Sequence, residues 1–312
     1  GNHAGILRYI RTIPQSERDL FPTKEVHLNM ALTSFDDQYK GCVELMEAEV
    51  EELNRTEFAT NRVYADAWSE AASMWKEKAA SLPEPSGLKP EHAVALMAYT
   101  VQGRFHRDFN AAVREAGRTR DDYLHRFHFK AFHFLLTRAL HLLGITAEPR
   151  CHKVYRGVKS VRFTSERAKL VRFGQFTSSS RSNESALRFG TDSFFTIETC
   201  YGVNIKNYSF FPGEEEVLIP PFEKFKVVNF TRGQETNFIH LLSLEDESVY
   251  NCVFVKEVKC FQRQKSPVPF GRWGRGSTFG TTSLKPRSPW LLFALPESSG
   301  ARPMFPLKRP AI

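Results

Sequence analysis

No stretch of the 312 residues reaches the roughly 18 apolar positions that a membrane-crossing helix needs, so no transmembrane span is expected. No two cysteines have CxxC spacing, which removes zinc ribbons and thioredoxin-like redox sites. No segment repeats at the roughly 20–50-residue periods of solenoids and propellers. His125, His128, His133 and His141 crowd one segment, yet no two of them stand at i,i+4, and no carboxylate joins them at ligand spacing. They read as helix-surface or hydrogen-bonded core histidines, and no metal is expected. Acids are scarce at one end of the chain. After Phe261 there are nine Lys or Arg against a single acid, Glu297. That segment carries the whole net charge of +8, so residues 1–261 balance to zero. It also holds eight of the 17 prolines and reads as a disordered basic tail, residues 261–312. The basic character therefore says little about the folded part, and no nucleic-acid partner is expected, because the body has no stacking or groove-binding motif.

What is present is globular. Apolar residues make up 41% and charged residues 25%, and 27 phenylalanines supply a large packed interior. Five cysteines, at 42, 151, 200, 252 and 260, are well separated, and glycosylation sequons stand at Asn54, Asn183, Asn207 and Asn229. Together they favour the secretory route, disulfides and an extracellular location, secreted or at the cell surface. The chain opens at Gly1 with no charged-then-apolar leader, so a signal peptide has been removed or the N-terminus is incomplete. "SPWLLFALP" near the end is a poor lipid-anchor signal.

Residues 1–24 have no clear period and stay unassigned. From about Ser34 to Trp75 the pattern is helical, with Ser34 and Asp37 at capping-box spacing for its start. Two further helices follow, over residues 91–101 and through "RDFNAAVREAG". Thr119 and Asp122 then open "YLHRFHFKAFHFLLTRALHLLG", expected to be one buried central helix. At residue 149 the texture changes to short β-branched and aromatic runs with turns between them. The expected fold is α+β: a helical N-terminal region, residues 25–148, packed on a two-sheet β core, residues 149–260.

Three short stretches carry candidate chemistry. "FFPGEEEVLIPP" sets three glutamates between a Pro-Gly turn and an apolar run. Read as a strand, Glu214 and Glu216 share one face and Glu215 takes the other. Two carboxylates side by side can divide labour, one stabilising a cationic transition state and one handling a proton or a cationic acceptor. A charged strand end facing water would look the same. "VYRGV" places Arg156 on a strand, where it suits a phosphate, and Gly157, whose bare backbone lets a ligand approach. "GQFTSSS" puts Ser178 and Ser180 on one face, where hydroxyls can orient a carboxylate on a neighbouring strand.

In the order Arg, Ser-x-Ser, Glu-x-Glu, these stretches resemble the vertebrate arginine-specific ecto-mono-ADP-ribosyltransferases of the R-S-E class. The resemblance spans about residues 25–260 and includes "SFDDQYKGC", "VYADAW", "ALMAYT" and "YNC". It implies transfer of ADP-ribose from NAD, with NADP an admissible donor, to arginine side chains of extracellular proteins or peptides. Arg156 would bind the NAD phosphates, the Gly157 backbone would meet the carboxamide, and Ser178 would orient Glu216. Glu216 would stabilise the oxocarbenium-like ribose, and Glu214 would hold and help deprotonate the incoming guanidinium. Tyr99, Gln175 and Ser209 match NAD contacts of the family, and one aromatic between Phe189 and Phe195 would stack on nicotinamide. The resemblance also implies disulfides Cys42–Cys252 (or Cys42–Cys260) and Cys151–Cys200, and the protein is expected to act as a monomer. An NAD glycohydrolase and a silent binding module are the alternatives on the same fold.

Overall fold

The computed structural model describes residues 23–82, 87–148 and 150–256. The basic tail, Cys260 and most of the unassigned N-terminal segment lie outside them. Among the described residues the chain opens with strand β1 (Lys24–His27), followed by helices α1 (Val43–Thr60), α2 (Arg62–Lys78), α3 (Pro90–Thr100), α4 (Phe105–Ala116) and α5 (Lys130–Gly144). Strands β2 (His152–Val158), β3 (Val161–Thr164), β4 (Leu170–Val171) and β5 (Thr177–Ser180) come next, then helix α6 (Asn183–Leu187). The chain continues through β6 (Ser193–Thr199), β7 (Val203–Asn204), β8 (Glu216–Ile219), β9 (Glu223–Arg232) and β10 (Asn237–Asp246). The switch from helix to strand falls where the composition places it.

The two expected sheets are unequal. β1 and β3 form a parallel pair, and the other strands form one sheet in the order β4-β9-β10-β6-β2-β5-β8-β7. That sheet is antiparallel apart from the parallel pair β10–β6. One apolar cluster lies among the helices and reaches the sheet through Phe176 and Leu218, and a second lies on β2, β6, β8, β9 and β10. The helices form because their apolar residues fall on one stripe. α4 buries Phe105, Phe109, Val113 and Ala116 at i, i+4, i+8 and i+11. Phe132 meets Phe105 and Phe109 edge-on, with centroids 4.8 and 4.7 Å apart. This is where much of the phenylalanine content goes.

Two expected helical features are absent for the same reason, a long-range partner that outbids the local pattern. "SFDDQYKG" is not a helix start; the helix begins at Val43, and the segment before it is an irregular, buried loop. Asp36 and Asp37 turn away from a local cap. Asp36 pairs with buried Arg172 and accepts from the Val249 and Tyr250 amides at 3.0 Å. Asp37 accepts from Tyr39 N and Val253 N. The long helix expected from Thr119 is broken as well. A π-helical turn spans Asp122–Arg126, and α5 starts afresh at Lys130. Its first amides donate to Glu57 of α1, Lys130 N at 2.7 Å and Ala131 N at 3.1 Å, so a carboxylate from another helix caps it.

His133 is the hydrogen-bonded core histidine of the four, its Nδ1 2.8 Å from the Tyr39 hydroxyl, whereas His125, His128 and His141 are exposed. Burial lowers the pKa of His133 to about 3 and that of His92 to about 4, so both stay neutral when folded. Unfolded histidine titrates near ~6.5, so the unfolded chain takes up these protons first and the stability they support, full above that pH, drains away as pH falls toward 4. Glu57 works in the opposite sense, because burial raises it to about 7 and its ionisation costs stability as pH rises. A variant comparison isolates the histidine. His92→Gln keeps an acceptor for the Lys89 amide, now bound at 3.1 Å by Nδ1. Its urea midpoint is expected to fall less than that of the wild type between neutral pH and pH 4.5, and identical slopes would count against the assignment.

The chain is closed by two disulfides, Cys42–Cys252 and Cys151–Cys200. The first selects Cys252 over Cys260 and ties the start of α1 to the segment after β10. Asn54 cannot serve as a glycan acceptor in this fold: it is 2% exposed inside α1, with its Oδ1 accepting from the Tyr64 hydroxyl. Asn207 and Asn229 are exposed, and Asn183 is half-buried.

Candidate active site

β2, β5 and β8 are neighbours in the sheet, and each delivers one member of the predicted set. Arg156 is on β2, Ser178 on β5 and Glu216 at the start of β8. β2 is in register with β6 over seven residue pairs but meets β5 only at Tyr155 and Ser180, so the sheet parts where Arg156 sits. The Arg156 Nη1 donates to the Ser178 carbonyl at 2.6 Å, fixing the guanidinium across that parting. Loss of water lowers the Arg156 pKa, and the nearby Tyr99 and Glu216 partly restore it. The Tyr99 hydroxyl is driven the other way, to about 12, by burial.

Glu216 is 2% exposed, and neither carboxylate oxygen has a hydrogen-bond donor among the described residues. Burying such a group without partners costs free energy that folding alone gives no reason to spend. Elsewhere the sheet buries a carboxylate in the ordinary way. Glu223 is 0% exposed and accepts from Thr199 Oγ1, Cys200 N, Tyr201 N and Ser243 Oγ. The contrast sets Glu216 apart.

The Glu-x-Glu geometry differs from the strand reading. Only Glu216 belongs to the strand. Glu214 closes a 3-10 turn, Pro212–Glu214, and Glu215 has left-handed backbone, φ 49° and ψ 46°. The Pro-Gly pair imposes the turn, and the left-handed residue is needed to enter β8 from it. Glu214 is therefore presented from a turn at the end of the strand and not by strand alternation. The Ser180 Oγ donates to the Glu214 carbonyl at 2.6 Å and pins that turn. Glu215 points to Lys206, 3.5 Å away. Ser180 is registered opposite Glu216 and Ser178 opposite Leu218, so the two serines share the face of Glu216. The Ser178 hydroxyl, however, makes no hydrogen bond to Glu216.

The other expected NAD contacts are bound into the protein. The Tyr99 hydroxyl donates to the Phe176 carbonyl at 2.9 Å and accepts from Asn110 at 3.0 Å. Gln175 Oε1 accepts from Arg114. Ser209 is buried, its Oγ accepting from Phe211 N and its carbonyl from Lys78. Gly157 is required by packing: a Cβ there would lie 2.3 Å from the carbonyls of Ala186 and Gly190. Of the aromatics considered, Phe194 and Phe195 are buried and Phe189 is half-exposed. Asn110, which the sequence reading missed, bonds both Tyr99 and the Phe176 carbonyl. Its signal was available: it is a polar residue beside Phe109 on the apolar face of α4. No cluster of three or more His, Cys, Asp or Glu residues suited to a metal occurs among the described residues.

The profile of the family described as "NAD:arginine ADP-ribosyltransferase" matches residues 28–249. The erythroblast NAD(P)(+)-arginine ADP-ribosyltransferase of Gallus gallus is 49% identical over 269 residues, 86% of each chain. The GPI-linked NAD(P)(+)-arginine ADP-ribosyltransferase 1 of Homo sapiens is 52% identical over 261 residues, 79% of this chain and 80% of its own. The crystal structure of the eucaryotic mono-ADP-ribosyltransferase ART2.2 matches with a TM-score of 0.65 at 42% identity, over 73% of this chain and 99% of the other. A mutant of that enzyme has been crystallised in complex with NAD.

Proposed function

The chain belongs to the NAD:arginine ADP-ribosyltransferase family, and from that membership we propose how its residues divide the reaction. The protein transfers ADP-ribose from NAD to arginine side chains and releases nicotinamide. The observation that carries the residue assignment is the buried Glu216 carboxylate without a donor, on a strand two places from the one bearing Arg156.

Nicotinamide leaves when the bond between its ring nitrogen and ribose C1′ breaks, and positive charge builds on the ribose. Glu216 stabilises that charge, and being already stripped of water and of donors it needs no reorganisation to do so. Arg156, held by the Ser178 carbonyl, has donors left for the pyrophosphate. Phe189, part-exposed where Phe194 and Phe195 are buried, is the aromatic we assign to the nicotinamide ring. Tyr99 and Asn110 position β5 through the Phe176 carbonyl, and Ser178 follows two residues later. A guanidinium nitrogen then attacks C1′ and its proton passes to Glu214, presented from the turn that Ser180 pins. NADP as a donor, extracellular acceptors and a monomeric state belong to the same reading; relatives described as GPI-linked or ecto-enzymes support the location.

Glu214→Gln tests the division of labour. With labelled NAD and agmatine as a small guanidinium acceptor, this variant is expected to lose ADP-ribosyl-agmatine formation and keep part of its nicotinamide release into water. Equal loss of both would remove Glu214 from the acceptor role.

A further inference from the structure

The turn that presents Glu214 has little around its tip. Pro212 and Gly213 are exposed, and a Cβ added at Gly213 would meet nothing within 4 Å. Packing does not fix the tip, so its two ends must. Downstream, the Ser180 Oγ holds the Glu214 carbonyl, and Arg181 N donates to the Glu215 carbonyl at 3.2 Å. Upstream, the chain is tied to two helices. Lys78, the last residue of α2, donates from Nζ to the Ser209 carbonyl at 2.9 Å. Thr100, the last residue of α3, is buried, and its Oγ1 accepts from Phe210 N at 3.1 Å. The same hydroxyl donates to the Met97 carbonyl at 2.9 Å, which leaves a lone pair facing the Phe210 amide.

Glu216 is held by other means. It is in register with Ser180 of β5, and on its other side its carbonyl accepts from Ile205 N at 3.0 Å. The backbone ladder thus fixes the carboxylate that serves nicotinamide departure, whereas side chains of α2 and α3 fix the turn that carries the other. We propose that Lys78 and Thr100 are positioning residues for the acceptor half of the reaction: they clamp residues 209 and 210 and so set where Glu214 meets the incoming guanidinium. The proposal rests on the reading of Glu214 as the group that takes the guanidinium proton. Such a group must lie within hydrogen-bond reach of that proton, and a misplacement of about 1 Å can cost ~10²-fold in rate. Tyr99 and Thr100 are consecutive and so stand about 100° apart around α3. One secures the entry to β5 through the Phe176 carbonyl and the other secures the turn, so a single helix end holds both sides of the site.

The test follows both products of one reaction, ADP-ribosyl-agmatine and free ADP-ribose, formed from labelled NAD by the full, disulfide-intact chain at one subsaturating agmatine concentration. Their ratio does not depend on the fraction of enzyme that is folded. Thr100→Val and, independently, Lys78→Met are expected to lower the ratio of transfer to hydrolysis about three- to tenfold, the worth of one hydrogen bond, with nicotinamide release in the absence of agmatine unchanged. Thr100→Ser, which keeps the hydroxyl, is expected to retain the wild-type ratio. Should Thr100→Val fail to fold, Lys78→Met decides. A wild-type ratio in the folded Thr100→Val and Lys78→Met variants would overturn the proposal. So would a ratio as low in Thr100→Ser as in Thr100→Val, or a loss of nicotinamide release as large as the loss of transfer. Glu214→Gln, run beside them, separates the two readings. A ratio lowered there and unchanged in Thr100→Val and Lys78→Met removes the clamp and keeps the base; a ratio unchanged in Glu214→Gln removes the base and the clamp with it.

Discussion

Glu216→Gln is expected to lower nicotinamide release from NAD by about 10²–10³, the usual loss when one preorganised electrostatic group is removed from a transition state. The same variant is expected to melt at or above the wild-type temperature. Both outcomes come from one fact: the carboxylate is buried and has no donor among the described residues. The buried carboxylate has no hydrogen bond to lose, only its longer-range attraction to Arg156, so the neutral amide of the same shape relieves the cost of a buried charge without breaking a bond. A structural carboxylate such as Glu223, with four donors, would behave in the opposite way, because its replacement would leave those donors without their acceptor. Rate loss combined with lowered melting in Glu216→Gln would mean that the residue is part of the scaffold. Rate and melting are measured on the same preparation, with labelled NAD and a thermal scan.

Replacing Cys42 and Cys252 together by Ala is expected to lower stability by about 5 kcal/mol in the chain-entropy account of disulfides. The bridge joins residues 210 apart and links α1 to the segment after β10, so almost the whole described chain lies inside its loop. At roughly 2–4 °C per kcal/mol for a domain of this size, the melting temperature falls by about 10–20 °C. The Cys151–Cys200 bridge, with a separation of 49, is expected to contribute somewhat less, about 4 kcal/mol in the same account. An unchanged melting temperature for the Cys42/Cys252 variant would show that the contacts beside the bridge hold these segments unaided. Those contacts are the Asp36 and Asp37 carboxylates on the Val249, Tyr250 and Val253 amides.

Much of the site was readable before the structure, because its parts are local. Arg156, Ser178 and Glu216 each lie on a strand whose β-branched and aromatic texture is visible in a few residues, and the family resemblance carried by their order grouped them. What was not readable depends on partners far away in sequence. Ser34 and Asp37 have the spacing of a cap, but the adjacent acids are claimed by Arg172 and by amides more than two hundred residues later. The helix expected from Thr119 is interrupted because Glu57 supplies a new cap at Lys130. Alternation failed at Glu214 because Glu215 adopts left-handed backbone, which a run of three identical residues cannot signal. Gly157 was read as a ligand approach, and the close carbonyls of Ala186 and Gly190 give it a packing reason that the sequence could not show. In each case the residue was identified as special correctly or nearly so, and its neighbour was what the sequence could not name.

The most direct measurement is nicotinamide release by the purified, disulfide-intact protein and NAD, with and without agmatine. Release that rises with agmatine, accompanied by ADP-ribosyl-agmatine, is the expected result. Release indifferent to agmatine, with free ADP-ribose as the product, would contradict transfer to arginine and leave a hydrolase built on the same site.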